Sequence, residues 1–97
     1  MRVIAISTLR RFWQQHPMAE MPLRAWYAEA RRARWERPGE IKAVRRNVSI
    51  IANNRVVFNI KGNDYRLVVA VRYDKQIMFI RFVGTHAESN RIDASAI

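Results

Sequence analysis

Between Arg55 and His86 the chain reads RVVFNIKGNDYRLVVAVRYDKQIMFIRFVGTH, three runs of β-branched and aromatic residues separated by Lys61-Gly62-Asn63-Asp64 and by Asp74-Lys75. Runs of this composition favour strands, and connections this short join them only as an antiparallel meander. The connections also set the register. If Tyr73 faces Gln76 across a two-residue turn, Val71 lies opposite Met78 and Val68 opposite Arg81. If Ile60 faces Tyr65 across the four-residue loop, Asn59 lies opposite Arg66.

Because side chains alternate between the faces of a sheet, that register divides the stretch into two sets. One face carries Val56, Phe58, Ile60, Leu67, Val69, Val71, Met78, Ile80 and Phe82, with no charge among them, and is the expected core. The other carries Arg55, Val57, Asn59, Arg66, Val68, Arg72, Phe79 and Arg81. Arg66 and Arg81 become diagonal neighbours on it, with Asn59 beside them and the Lys61 loop at the same end. Grouped cations repel unless an anion joins them, and a phosphate meets that requirement.

Ninety-seven residues with three glycines and three prolines suit a single domain spanning 1–97, with room for one core and little linker. A formal charge of +10 on so short a chain implies an acidic partner such as nucleic acid, an anionic membrane or an acidic protein. Cysteine is absent, which excludes a disulfide scaffold, thiolate zinc sites and a cysteine nucleophile. The run Met1–Ser7 is too short for a secretory leader, and no apolar span approaches the ~20 residues of a membrane helix. The expected compartment is the cytoplasm, with no membrane partner.

Ahead of the meander, Arg2 to Ile6 reads as a short first strand in the same sheet. Ser7 or Thr8 is placed to cap a helix whose Leu9, Phe12 and Trp13 share a face, ended by His16-Pro17. A second helix follows from about Pro22 to Trp35, with Leu23, Trp26, Tyr27, Ala30 and Ala33 at helical spacing, closed by Pro38-Gly39. The tryptophans on these stripes are expected in the core or against a protein partner, and His16 is expected to be a helix terminus and nothing more. Glu40 to Arg46 suits one further helical turn with Ile41 and Val44 inward, and Val48–Ile51 another short strand before an Asn53-Asn54 turn. A helical turn from about His86 to Asp93 precedes residues expected to fray. Two helices with apolar stripes over a sheet with one apolar face make an α+β two-layer sandwich whose basic face stays open.

The order strand, two helices, meander resembles the RelE-like toxin fold, and particular residues are similar to one branch of it, the HigB family of toxin-antitoxin toxins. The similarity rests on Phe58-Asn59, Gly62-Asn63 and Arg66-Leu67-Val68, then on Ile80-Arg81-Phe82-Val83-Gly84-Thr85-His86 with an acidic residue after it, Glu88. Upstream, Trp35-Glu36-Arg37-Pro38 and Ile41-Lys42 are similar to that family's helix-to-loop passage. The resemblance implies an endoribonuclease that cuts mRNA in the decoding site of the ribosomal 30S subunit. It also implies a cognate helix-turn-helix antitoxin as silencing partner, and contact with operator DNA only through that antitoxin. One departure stands out: Ser89-Asn90 occupies the place of a Tyr-Asp pair in relatives, so a weakened toxin, or a basic RNA- or antitoxin-binding module that cuts nothing, is the alternative.

RNA supplies its own nucleophile in the 2′-hydroxyl, so cleavage without metal requires a base, cations on the phosphate and an acid for the departing 5′ oxygen. His86 is the first candidate for proton transfer, since its ordinary pKa of about 6.5 permits either state. Arg66 and Arg81 are placed to clamp the phosphate. Lys61 is a second proton-transfer candidate if neighbouring arginines lower its pKa, and Glu88 an alternative base. Asn59 and Asn63 are candidates for orienting base or ribose. Arg55 and Arg72 share the basic face, and Arg31, Arg32, Arg45 and Arg46 are either solvated or grip RNA phosphates. No His/Asp/Glu spacing suggests a metal site and no glycine-rich phosphate loop precedes a helix, so neither metal nor cofactor is expected.

Overall fold

The computed structural model describes residues 1–97. Its elements are β1 (Arg2–Ile4), α1 (Ile6–Gln15), a 3-10 turn (Pro17–Ala19), α2 (Glu20–Arg32), α3 (Pro38–Val44), β2 (Ser49–Ile51), β3 (Arg55–Ile60), β4 (Tyr65–Arg72), β5 (Ile77–Thr85) and α4 (His86–Ser89). The five strands form one sheet in the order β1-β5-β4-β3-β2. β1 runs parallel to β5, and every other pair is antiparallel. This is the expected α+β arrangement, with the first strand taken into the sheet of the meander.

The helices differ from expectation at their ends. α1 begins at Ile6 without a side-chain cap. α2 stops at Arg32, where Ala33 turns extended. Pro38 opens α3 instead of closing α2, because a fixed φ near −65° and a missing N–H suit the first turn of a helix. Within α3, Ile41 is buried as expected, but Val44 is 61% exposed.

Leu9, Trp13, Leu23, Trp26, Ala30 and Ile41 from the helices meet Val56, Phe58, Ile60, Leu67, Val69, Val71, Met78 and Ile80 from the sheet in one cluster of buried residues. Trp26 lies edge-on to Phe58 with ring centroids 5.4 Å apart. Trp35 is buried as well. Truncating any large member of such a cluster costs about 2–5 kcal/mol, lost transfer energy plus the cavity left behind.

The first hairpin has the expected register, Asn59 opposite Arg66 and Ile60 opposite Tyr65. The second keeps its expected register from Arg72/Ile77 to Val69/Ile80 and then shifts by one residue. Val68 lies opposite Phe82, not Arg81, and Arg81 is the extra residue of a β-bulge. The slip exchanges faces beyond it. Phe82 therefore leaves the core side, where Val83 packs in its stead.

Candidate functional site: the outer face of the sheet

On the side of the sheet away from the helices, β3 presents Arg55, Val57 and Asn59. These lie opposite Ala70, Val68 and Arg66 of β4. The facing residues of β5 are Phe79, Phe82 and Gly84. Arg81 joins this face through the bulge, its guanidinium 5.9 Å from the Phe79 ring centroid. Arg66, Asn59 and Gly84 thus form one cross-strand row, and His86 follows two residues beyond it at the start of α4.

Asp64 ties the corner of this row together. Its carbonyl accepts the His86 backbone N–H at 3.1 Å, and its carboxylate holds the Lys61 ammonium at 2.9 Å. Lys61 sits in the left-handed region at φ 53°, next to Gly62 at φ 64°. A side-chain-bearing residue there costs on the order of 1 kcal/mol, which the Asp64 ion pair and turn bond help offset. The hydrogen bond and charge of Asp64 push the Lys61 pKa up. The lowering expected from neighbouring arginines does not occur, and Asp64 keeps Lys61 protonated, the form that can donate a proton but not take one. Asp64 carried no signal in the sequence beyond that of a turn residue.

Two buried polar atoms at this end, Arg66 Nε and His86 Nδ1, have no hydrogen-bond partner within the protein. Buried donors and acceptors are paired in the great majority of cases; Trp26 Nε1 and Tyr73 OH are also unpaired, so what singles out Arg66 and His86 is their position at the corner that holds Lys61. Glu88 is otherwise engaged. Its carboxylate accepts the Thr85 N–H at 2.8 Å while Thr85 Oγ1 accepts the Glu88 N–H at 3.2 Å, a capping box that starts α4. The backbone bond to Thr85 holds its pKa below the ordinary value, which makes it a poor proton acceptor. His16, expected to be only a helix end, stacks on Phe12 at 4.3 Å and stands 5.9 Å edge-on from Tyr65, near Glu88.

Of the remaining candidates, Asn59 keeps its place in the row, and the others are engaged or lie elsewhere. Arg72 is bound to Asp74 at 3.1 Å, which raises its pKa. Arg55 donates through Nε to the Ile97 carbonyl at 2.8 Å. Asn59 Nδ2 donates to Asn47 O at 3.1 Å, and Asn63 is exposed at the loop tip. Arg45 pairs with Glu29, its Nε 2.7 Å from the carboxylate. Arg46 lines a hollow of about 270 Å³ beside Asn59 at the β2 edge. Arg31 and Arg32 lie across the molecule, beside β1.

The carboxyl-terminal residues, expected to fray, are instead tied to this face. Asn53 Nδ2 donates to Ser95 O at 2.9 Å, and Arg55 reaches Ile97. Val68 and Ala70 are 1% and 7% exposed although they belong to the outer side and lie outside the core cluster. Residues 91–97, with Ile92, Ala94 and Ile97 half-buried, are anchored at the Arg55 end of this face and are the segment placed to cover Val68 and Ala70. The segment leaves the Arg66–His86 end and crosses toward Arg55 at the other.

A two-layer α+β domain with a five-strand mixed sheet and helices packed on it is compatible with a RelE-like fold. Residues 19–92 match the family model described as HigB_toxin, the RelE-like toxic component of a toxin-antitoxin system. That span is most of the chain, and the chain belongs to the HigB toxin family. No curated protein matches it.

Proposed function

We propose that this toxin is a metal-independent endoribonuclease that cuts mRNA on the ribosome and is silenced by a cognate helix-turn-helix antitoxin in the cytoplasm. The observation that carries the reading is the pair of unpartnered buried nitrogens, Arg66 Nε and His86 Nδ1, at a corner that already holds Lys61. A phosphodiester gives each of them a partner. In the proposed reaction His86 takes the proton of the 2′-hydroxyl, the 2′ oxygen bonds to phosphorus, and the bond from phosphorus to the 5′ oxygen breaks. The Lys61 ammonium protonates the departing oxygen, leaving a 2′,3′-cyclic phosphate and a 5′-hydroxyl end. Arg66 and Arg81 stabilise the charge that develops on the phosphoryl oxygens. Asp64 positions both proton carriers, one through its carbonyl and one through its carboxylate.

Induced expression should arrest growth and leave new 5′-hydroxyl ends in messages, and co-expression of a neighbouring antitoxin gene should restore growth. Arg66→Ala and His86→Ala should each lower cleavage by at least a hundredfold while circular dichroism stays unchanged. Harmless overproduction with intact messages would overturn the enzyme. That outcome would favour the second reading, a binding module of the same fold, which one observation supports. Ser89 stands at the position of the relatives' tyrosine, and its hydroxyl donates to His86 O at 2.7 Å, closing α4 rather than offering a ring to a base.

A further inference from the structure

The largest concavity of the molecule lies away from the outer face, where the end of α2 meets β1. It encloses about 800 Å³ and is lined by Arg2, Arg31, Arg32 and Arg34 together with Met1, Val3, Tyr27, Ala33 and Gln76. No carboxylate is among its walls. None of the four guanidiniums takes part in an ion pair, whereas Arg24, Arg37, Arg45 and Arg72 elsewhere each have one. Glu36 and Asp74 line an adjoining hollow that shares Arg34 and Gln76 with the cleft, but neither forms an ion pair with Arg34, and Asp74 is already committed to Arg72.

Basic residues in the last turn of a helix ordinarily complement its unpaired carbonyls. That explanation is spent here. The Met1 amino group donates to Ala30 O at 3.0 Å and to Arg31 O at 3.2 Å, and also to Ala33 O, so the end of α2 has its cation already. Burial and the charge of Arg34 both depress the pKa of that amine. The four arginines are thus surplus to the needs of the helix, and Arg34 crowds the cation that serves it. A concave wall of one sign focuses its potential on whatever enters.

We infer that this cleft is a second RNA-binding site, separate from the outer face, that holds adjacent backbone phosphates through Arg2, Arg31, Arg32 and Arg34. Guanidinium forks match phosphate oxygens in pairs, and phosphates need no particular base. Tyr27 serves here as a support: its ring lies 5.5 Å from the Arg31 guanidinium, which holds that cation at the wall rather than leaving the ring free to stack on a base. The choice of RNA as the polyanion rests on the proposed function, but the site does not require that the protein cleave. Two separated phosphate-binding sites on one small domain would let the toxin grip structured RNA at one end while the message lies at the other.

The test uses the full chain and a uniformly 2′-O-methylated RNA, which cannot be cut, so that binding is read apart from cleavage. Arg31→Gln with Arg34→Gln changes two exposed side chains that make no ion pair. Arg10→Gln with Arg11→Gln on α1 makes the same change of charge at a site that lines no cleft. Fluorescence anisotropy across a salt series should show the Arg31/Arg34 variant binding at least tenfold more weakly, with the slope of log K against log salt shallower by about 1.4–1.8. The Arg10/Arg11 variant should lose less than threefold. Equal losses in the two variants, or none in either, would overturn the site. So would a cleft variant that keeps its RNA affinity but loses binding to a polyglutamate peptide, since the occupant would then be an acidic protein. Inorganic triphosphate that binds the cleft without competing with RNA would overturn it too. If RNA binding behaves as expected and no message is cut, the cleft stands and the nuclease falls.

Discussion

Gly84 shows how narrow the tolerance is beside the proposed reaction centre. A Cβ at this position would stand 2.5 Å from Phe82 Cζ and 3.0 Å from Glu88 Oε1. Gly84 lies directly across from Arg66, so the missing side chain makes room for the Phe82 ring in the row that carries the guanidinium. Gly84→Ala should therefore destabilise the fold by about 1–3 kcal/mol, read as a lower urea midpoint at unchanged m-value. Adding Phe82→Leu should recover on the order of 1 kcal/mol, because the two positions share one clash. Additive losses would show that the ring does not lie over Gly84. The residues of this corner were unevenly legible. Arg66, Arg81, Lys61 and His86 declare themselves by chemical type and by alternation along the meander. Asp64 and Gly84 look like turn and strand-end residues, and only their contacts give them a part in the site.

At the scale of elements, the connections decided what the sequence could reveal. Short loops fix the register next to them, which is why Asn59 lies opposite Arg66 and Val71 opposite Met78 as expected. The bulge at Arg81 is different, because two apolar residues in succession, Phe82 and Val83, satisfy either phase of the alternation. Packing against the core selects Val83. The carboxyl-terminal segment was illegible for another reason: its anchors join residues 42 apart in sequence, and no local periodicity announces such a pairing. Its contribution can be measured. A chain ending at Asn90 should expose Val68 and Ala70 and lose about 1–3 kcal/mol of stability, while the far-ultraviolet signal of α1 and α2 persists. An unchanged urea midpoint would mean that residues 91–97 do not shield those side chains. The truncation also releases the Arg55 guanidinium from Ile97, adding a free cation to the outer face.

For the molecule as a whole, two electrostatic effects oppose each other, and salt separates them. Five ion pairs stabilise the fold; most are exposed, and pairs of that kind contribute roughly 0–1 kcal/mol each. Against them stands a formal charge of +10 on 97 residues, within Cα extents of 34 × 26 × 22 Å. At 10 mM salt the Debye length is about 30 Å, comparable to the whole molecule, so every surplus cation repels every other. At 150 mM it is about 8 Å, and the repulsion shrinks to near neighbours, whereas contacts of about 3 Å are screened far less. Net repulsion is the longer-ranged effect and should dominate the response. Raising sodium chloride from 10 to 150 mM should thus raise the midpoint of thermal unfolding by several degrees, the direction opposite to that of a fold held together by surface ion pairs. The guanidiniums of the α2–β1 cleft and of the Arg66 row supply part of that repulsion. Uncleavable RNA should then stabilise the protein most at low salt, and its effect should fade as screening takes over the same work. A midpoint that falls with salt in the free protein would show that the ion pairs outweigh the surplus charge.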